Sequence, residues 1–481
     1  MKSKLLLCAL SATATLAACS LAPVYQTPVT AAPAASYKEA ADWKPAQPSD
    51  AVPRGTWWSI FHDAQLDSLE AQVTTSNQNL KAAFARLQQA RAQMRYVRAS
   101  YLPTVTAGAG ATRTRTSTNA PQYSTVKPPT QNDLLLESDV SYEIDVFGRV
   151  RNSVAAARAS AAASAADLAV VDLSMHSELA LDYFTLRSED TQQSLLDRTV
   201  LDYTHALELT QNLYNGGAVP LADVAQAQAQ LETARTQAED VRLRRAQTEH
   251  AVAVLVDQQA STFHLDPQPL SLDVAPPPVD PGMPSELLER RPDVAGAERR
   301  VASANASIGV ARAAYFPVFN LAGVVGLEST QGVSWIDAPS ALWAVGSSAM
   351  MTLFDGGRRH AQTDQARAAY DEQVANYRAT VTTAYSEVED WLAALRQLER
   401  ENSSEAAAVA ATATELDQAN YRYKAGAATY LEVVIAENAS LAAQLSAADI
   451  QVRRMNASVL LVKALGGGWE NPTPAGALVS R

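Results

Sequence analysis

Cysteine and histidine are scarce in this sequence. Only two cysteines occur, Cys8 and Cys19, both near the start of the chain, and six histidines are scattered over 481 residues. A disulfide framework and a cysteine-based metal site in the body of the chain are therefore excluded. No nucleophile elbow or phosphate-binding glycine loop occurs either, so an enzyme is disfavoured and no cofactor or metal is expected. The net charge of −12 argues against nucleic acid as a partner.

The N-terminal segment has the features of a secretion signal. Two lysines precede an apolar run from Leu5 to Leu16, which is too short to span a bilayer. The ending Leu-Ala-Ala-Cys resembles a bacterial lipobox, so residues 1–18 are predicted to be removed and Cys19 to carry lipid. Ser20 follows the cysteine and, by analogy, permits sorting to the outer membrane. An ordinary signal with an incidental cysteine is the alternative.

Glycine and proline are absent from two very long stretches, residues 150–215 and 358–425. Globular helices average about 11–12 residues, whereas a helix filling either stretch would be about 100 Å long at ~1.5 Å per residue. Aromatic residues make up only 6% of the chain and alanine is abundant, which favours helices that pack closely. Apolar residues at coiled-coil spacings between Leu66 and Tyr101 support the same prediction.

Four shorter segments alternate with the period of a β-strand. The clearest, residues 134–147, is apolar at one parity and acidic at the other. Its acids are Glu137, Asp139, Glu143 and Asp145. The other predicted strands are residues 104–116, 317–328 and 342–354. An acidic face fits a water-filled lumen, and a small soluble sheet is the alternative.

The chain repeats itself at an offset of about 210 residues. Tyr-Leu-Pro at residues 101–103 recurs as Tyr-Phe-Pro at 315–317, and the turn at 214–218 recurs at 423–427. Each half is predicted to contain a helix, two strands, a long helix and a further helix. The predicted organisation is a signal peptide (1–18), a lipid-anchored extended tether (19–55), a first repeat (56–265), a proline-rich linker (266–284), a second repeat (285–466) and a C-terminal tail (467–481).

The predicted strands constrain the assembly. No later segment has roughly 18 uncharged apolar residues in a row, so no membrane-spanning helix is expected and strands must cross any membrane. Four strands cannot close a barrel, because the smallest membrane barrels have about eight. Several chains must each contribute a sheet. Two chains would supply eight strands and three would supply twelve, and the residue pattern does not choose between them.

Three motifs resemble those of TolC-type outer-membrane factors, in the NodT-like lipoprotein branch. They are Trp57–Leu66 (WWSIFHDAQL), Pro284–Val294 (PSELLERRPDV) and Lys463–Trp469 (KALGGGW). The resemblance implies a homotrimer with a 12-stranded barrel in the outer membrane, bound to outer-membrane lipid, and a long α-helical tunnel in the periplasm. It also implies a duct that exports small molecules, fed through a periplasmic adaptor by an inner-membrane transporter of the resistance–nodulation–division kind. A duct for protein secretion and a coiled-coil adaptor lipoprotein are the alternatives, and the duplication argues against the adaptor.

The resemblance also assigns the periplasmic tip. The turns at Gly216, Gly217 and Gly426 are expected to receive the adaptor. The helices that follow are expected to line the closed aperture, with Leu431, Glu432 and Ile435 in the second repeat and Asp223 in the first. Relatives often carry an acid where this chain has Ile435, so an apolar constriction is expected here. Glu432 is expected to pair with Arg422 or Lys424, and solvated acids in a first helical turn are the alternative reading of Glu432 and Asp223.

Overall fold

The structure is a computed structural model that describes residues 20–30, 36–38, 56–119, 130–271, 274–279 and 290–467. Cys19 and the signal peptide, much of the predicted tether, the start of the Pro284–Val294 motif and residues 468–481 lie outside these ranges. The helices are α1 Ala64–Ser76, α2 Gln78–Arg98, α3 Arg149–Asn215, α4 Leu221–Leu255, α5 Pro292–Ala313, α6 Arg358–Lys424 and α7 Tyr430–Ala464. The strands are β1 Thr104–Arg115, β2 Thr130–Ile144, β3 Val318–Ser329 and β4 Ala341–Met350.

The two halves of the sequence contain helices of matching length. α3 and α6 each have 67 residues, and α4 and α7 each have 35. Both pairs begin 209 residues apart (149 to 358 and 221 to 430). The predicted helices of about 100 Å are therefore present as single uninterrupted elements. They end where glycine first occurs, because glycine adopts the backbone conformation that terminates a helix at little cost.

The chain divides into two compact units. The first contains residues 1–29, 87–164 and 296–377, and the second contains residues 30–86, 165–295 and 378–481. Each unit draws on both halves of the sequence. All four strands belong to the first unit, and the turns after α3 and α6 belong to the second.

The four strands form one antiparallel sheet in the order β1-β2-β3-β4. Asp139 lies opposite Thr106 on one side and Val324 on the other, so directly paired residues share a face. Two predicted strand ends were wrong. β2 ends at Ile144 rather than 147, and β4 ends at Met350 rather than 354, because the residues that follow form the turns into α3 and α6.

The strand register separates the side chains into an apolar and a polar face. The apolar face includes Val105, Leu134, Leu136, Val140, Ile144, Phe319, Leu321, Val325, Trp343 and Val345. The polar face includes Thr104, Thr106, Thr112, Asp133, Glu137, Asp139, Glu143, Asn320 and Ser348. Trp343 and Val345 are 77% and 72% exposed in the single chain. An apolar face this open requires a partner, either lipid or protein.

One described helix, α3, is long and apolar enough by composition to cross a membrane. Its apolar character comes from the alanine-rich segment at residues 155–166, since alanine raises hydropathy without adding a large side chain. Arg158 and Asp167 interrupt this part of the helix, so the expectation that no uncharged apolar run spans a membrane is not contradicted. A single helix that passes this test is weak evidence of a span, because helices of soluble proteins pass it too.

The opening motif Trp57–Leu66 builds part of the core of the second unit. Asp63 caps α1 by accepting the backbone N–H groups of Gln65 and Leu66 at 2.9 and 3.1 Å. The same carboxylate accepts the Tyr183 hydroxyl at 2.6 Å. Trp58 stacks on His176 with ring centroids 4.4 Å apart. The motif thus joins α1 to the middle of α3.

Candidate channel and aperture site

Two of the four acids predicted to line the lumen, Glu143 and Asp145, interact instead with the start of α3, where the chain passes from the sheet into the helix. Asp145 is not a strand residue. Its carboxylate accepts the backbone N–H groups of Val150 and Arg151 at 3.0 and 2.9 Å, and thereby caps the first turn of α3. Glu143 ends the polar face of β2 and forms a bidentate ion pair with Arg149. Placing Asp145 on the strand face was wrong, because residues 145–148 turn the chain into the helix.

Glu137 and Asp139 remain as acids on the polar face of the sheet. Glu137 lies opposite Gly108 and Gly326, and Asp139 lies opposite Thr106. Within the described residues neither carboxylate takes part in an ion pair. Gly326 leaves no room for a side chain, since an added Cβ would collide with the backbone of β2. Glu137 is therefore flanked by two glycines, and Asp139, flanked by Thr106 and Val324, is exposed in the single chain.

The long helices end in the same hydrogen-bonded turn. After α3, the Ala218 N–H donates to the Leu213 carbonyl at 2.9 Å, and the Gly217 N–H donates to the Tyr214 carbonyl at 2.9 Å. This is the Schellman pattern, with a left-handed residue just past the helix. The turn after α6 repeats both bonds around Gly426.

Only two of the three predicted turn glycines require glycine. Gly217 and Gly426 have φ angles of +74° and +70°, in the left-handed region. Gly216 does not, and its counterpart in the second repeat is Ala425. Gly217 and Gly426, which correspond in the two repeats, therefore also have the same backbone conformation.

Leu431 and Ile435 lie together on one exposed face of α7. They are 51% and 56% exposed, whereas Val433 and Val434 between them are buried. Residues 431 and 435 correspond to Ala222 and Gln226 in α4, and so the first repeat presents no comparable apolar pair. If an apolar constriction exists at this end, α7 supplies its side chains.

Glu432 lies in the first turn of α7 and forms an ion pair with Arg422. Its Oε2 lies 3.1 Å from Arg422 Nη1, which is the predicted pairing, and both side chains are about half exposed. Its Oε1 accepts the Thr429 backbone N–H at 3.5 Å. Exposed pairs of this kind contribute about 0–1 kcal/mol. Asp223 occupies the matching place in α4 and is half-buried, where it raises the pKa of Tyr423 after the larger effect of burial.

An acid that sequence reasoning missed lies one turn further along α7. Burial, and secondarily the charge of Asp202, raises the pKa of Glu437 to about 7. Its Oε2 is buried and has no hydrogen-bond partner among the described residues. Burial first, and the charge of Glu437 second, raise the pKa values of Tyr203 and Tyr430. The available signal was spacing, because residues 430, 433, 434 and 437 recur at helical intervals on the buried face.

Comparison with known proteins places this geometry in a family. The sequence profile of the family "Outer membrane efflux protein" matches residues 69–256 and 283–467, one segment in each half of the chain. The chain belongs to the outer membrane efflux protein family. It is an outer-membrane channel component of an efflux pump, and the predicted family and location are confirmed.

Individual members of this efflux family resemble the chain over nearly its whole length. Outer membrane protein OprJ of Pseudomonas aeruginosa is 34% identical over 464 residues, which cover 95% of this chain and 94% of the relative. The toluene efflux pump outer membrane protein TtgF of Pseudomonas putida is 31% identical and covers 95% of each. The solved structure of the outer-membrane channel OprN superposes with a TM-score of 0.86 at 29% identity, covering 94% of this chain and 100% of that one.

Gly426→Ala is expected to destabilise the turn after α6 by about 1–2 kcal/mol, because an L-residue there must adopt the left-handed conformation. Hydrogen exchange of residues 420–432 should become faster. Gly216→Ala is the matched control, since a Cβ at that glycine meets backbone oxygens at an ordinary 3.5 and 3.6 Å. Equal effects from the two substitutions would contradict the conclusion that Gly426, but not Gly216, requires glycine.

The packing around Glu437 is expected to weaken as pH rises. The pKa of Glu437 in the folded chain is raised from 4.5 to about 7, so its stabilising protonated form is complete below pH 4.5 and is lost as pH passes through about 7. Hydrogen exchange in residues 430–440, corrected for the intrinsic pH dependence, should be faster at pH 8 than at pH 5.5. Glu437→Gln should abolish this difference and Glu432→Gln should keep it. A difference that survives Glu437→Gln would assign the titration to another group.

Proposed function

We propose that three copies of this chain form the outer-membrane duct of a tripartite efflux pump that exports small molecules. The observation that carries the proposal is the two-faced sheet with open edges. Among the described residues, β1 and β4 are each paired on one side only. Unpaired backbone groups are not tolerated in lipid, so β1 of one copy would pair with β4 of the next. Three sheets of four strands then close a barrel of twelve strands, within the range of known membrane barrels.

The two faces of the sheet support one orientation of this barrel. Val105, Val140, Val325, Trp343 and Val345 lie on the exposed apolar face, which would contact lipid chains. The polar face, with Glu137 and Asp139, would line the lumen. Threefold symmetry repeats each carboxylate three times, and rings of carboxylates concentrate cations.

The face of α7 that carries Leu431 and Ile435 supports an apolar gate. Three copies of the pair meeting on an axis would form a dry plug, and such a constriction blocks ions by dewetting. Glu432 is held by Arg422, so it would flank the plug rather than form an acidic ring. Asp223 would lie near the same turn, on the helix of the first repeat.

The glycine turns support a docking role for a second protein. Gly217 and Gly426 place two matching turns at the ends of α3 and α6. A periplasmic adaptor with helical hairpins would contact these turns, and an inner-membrane transporter of the resistance–nodulation–division kind would supply the substrate. The similarity to a toluene efflux pump component favours small molecules over proteins as cargo. In this proposal the chain conducts substrates and catalyses no reaction.

Leu431→Ser combined with Ile435→Ser is expected to raise the conductance of the isolated trimer in planar bilayers, because a polar constriction stays wet. Cells carrying this variant should also become more permeable to large antibiotics. The control is Leu201→Ser with Leu209→Ser, two exposed leucines of α3. Unchanged conductance in the α7 variant would place the constriction elsewhere.

Glu137→Gln combined with Asp139→Asn is expected to reduce the cation preference of the open channel. The reversal potential across a salt gradient in single-channel recordings is the measurement. Asp337→Asn, in the loop between β3 and β4, removes a comparable charge outside the sheet and should shift the potential less. Anion preference in the unsubstituted channel would reverse the assignment of the two faces.

A further inference from the structure

The charged side chains of the four strands are sorted by sign between the two faces of the sheet. The strand register places every acid of the strands on the polar face: Asp133, Glu137, Asp139, Glu143 and Glu328. The two bases, Arg113 and Arg115, lie on the opposite face together with Val105. Among the described strand residues no other side chain is charged. The apolar face of the sheet therefore carries positive charge only.

The two arginines lie at the end of β1 that is farthest from the helices. α2 precedes the Thr104 end of β1, and Arg115 is the last residue of the strand. Across the strand pair, Arg113 lies opposite Asn132 and Arg115 lies opposite Thr130. Both arginines are exposed in the single chain, and no described residue forms an ion pair with either. Two guanidinium groups and two neutral polar side chains thus form one exposed patch.

The position of this patch along β1 matches the outer border of a membrane. Arg115 follows Val105 by ten positions, which is about 34 Å of strand at ~3.4 Å per residue. At the ~40° tilt of strands in membrane barrels this length rises about 26 Å, and the apolar band of such barrels is about 25 Å tall. With Val105 at the inner border, Arg115 reaches the outer one, and the long side chain of Arg113 extends towards it. The helices are periplasmic, so this border faces the cell exterior.

We propose that Arg113 and Arg115 bind the phosphate groups of lipopolysaccharide in the outer leaflet of the outer membrane. This inference rests on the proposed function, in which the apolar face of the sheet contacts lipid. Arginine suits the role because its planar guanidinium donates two parallel hydrogen bonds to one phosphate. Asn132 and Thr130 supply neutral hydrogen-bonding groups beside it. With every strand acid on the lumen side, no carboxylate of the lipid-facing side repels the phosphate.

The binding test uses the full-length protein, purified in detergent, freed of lipid and titrated with lipid A that carries two phosphates. Native mass spectrometry counts the lipid molecules bound to each assembly. Arg113→Thr combined with Arg115→Thr is expected to weaken binding about tenfold or more, because hydrogen bonds between two charged groups are the strong ones. Lipid A without phosphates should bind the unsubstituted protein no better than phosphorylated lipid A binds this double variant.

A matched variant moves the two charges to the other face of the same strand. Thr112→Arg and Thr114→Arg are added to the double threonine variant, which restores the composition and the net charge at the same height. This variant should bind lipid A as weakly as the double variant does. Arg91→Gln with Arg95→Gln, two exposed positions of α2, should leave the affinity unchanged. Thermal unfolding of each variant checks that the fold is retained.

Full affinity in either the double variant or the face-exchange variant would overturn the site. Inorganic phosphate at the concentration of the lipid should not displace it, and displacement would assign the arginines to a free anion instead of a lipid. The same spectra give the mass of the assembly. A number of chains other than three would contradict the proposed duct, whereas a trimer that binds lipid A independently of the two arginines would contradict this site alone.

Discussion

The unpaired backbone groups along β1 and β4 are the constraint on which the rest of the structure depends. A sheet of four strands satisfies its inner hydrogen bonds and leaves two edges open. In lipid each unpaired group is destabilising by several kcal/mol, and the proposed trimer meets this constraint because each edge pairs with the edge of a neighbouring copy. In the same proposal, one exposed face of the sheet would contact lipid and the other would line a lumen.

The two repeats share backbone geometry and differ in chemistry. Gly217 and Gly426 form the same turn after helices of equal length, which maintains two equivalent ends. The helices after the turns begin differently. α7 begins with Thr429, exposes a leucine and an isoleucine, and pairs its first-turn acid with Arg422. α4 begins after Pro220 and has Ala222 and Gln226 at the places of this leucine and isoleucine. Duplication thus produced a pseudo-symmetric frame, and the candidate gate belongs to one half of it.

Sequence patterns were sufficient for elements whose cause is local. The lengths of α3 and α6 follow from the absence of glycine and proline, and the two faces of β2 follow from strict alternation. Strand ends were predicted less well, because alternation continued through Asp145 and Val146 after the backbone had left the sheet. Nothing in the local pattern distinguishes a strand carboxylate from one that caps the next helix, since both are acids at the same spacing.

By itself the sequence determined the periodicities, the duplication, the glycine turns and the family, since each depends on neighbouring residues or on a repeated motif. Only the tertiary structure decided what individual polar groups do. Glu143 and Asp145 bind the start of α3, Glu432 binds Arg422, and Glu437 is half-buried near Asp202. Gly309 is an ordinary helix residue until Ala22, which is far away in sequence, packs against it. Charge and burial depend on groups that the fold brings together across long separations, and a linear pattern carries no record of those distances.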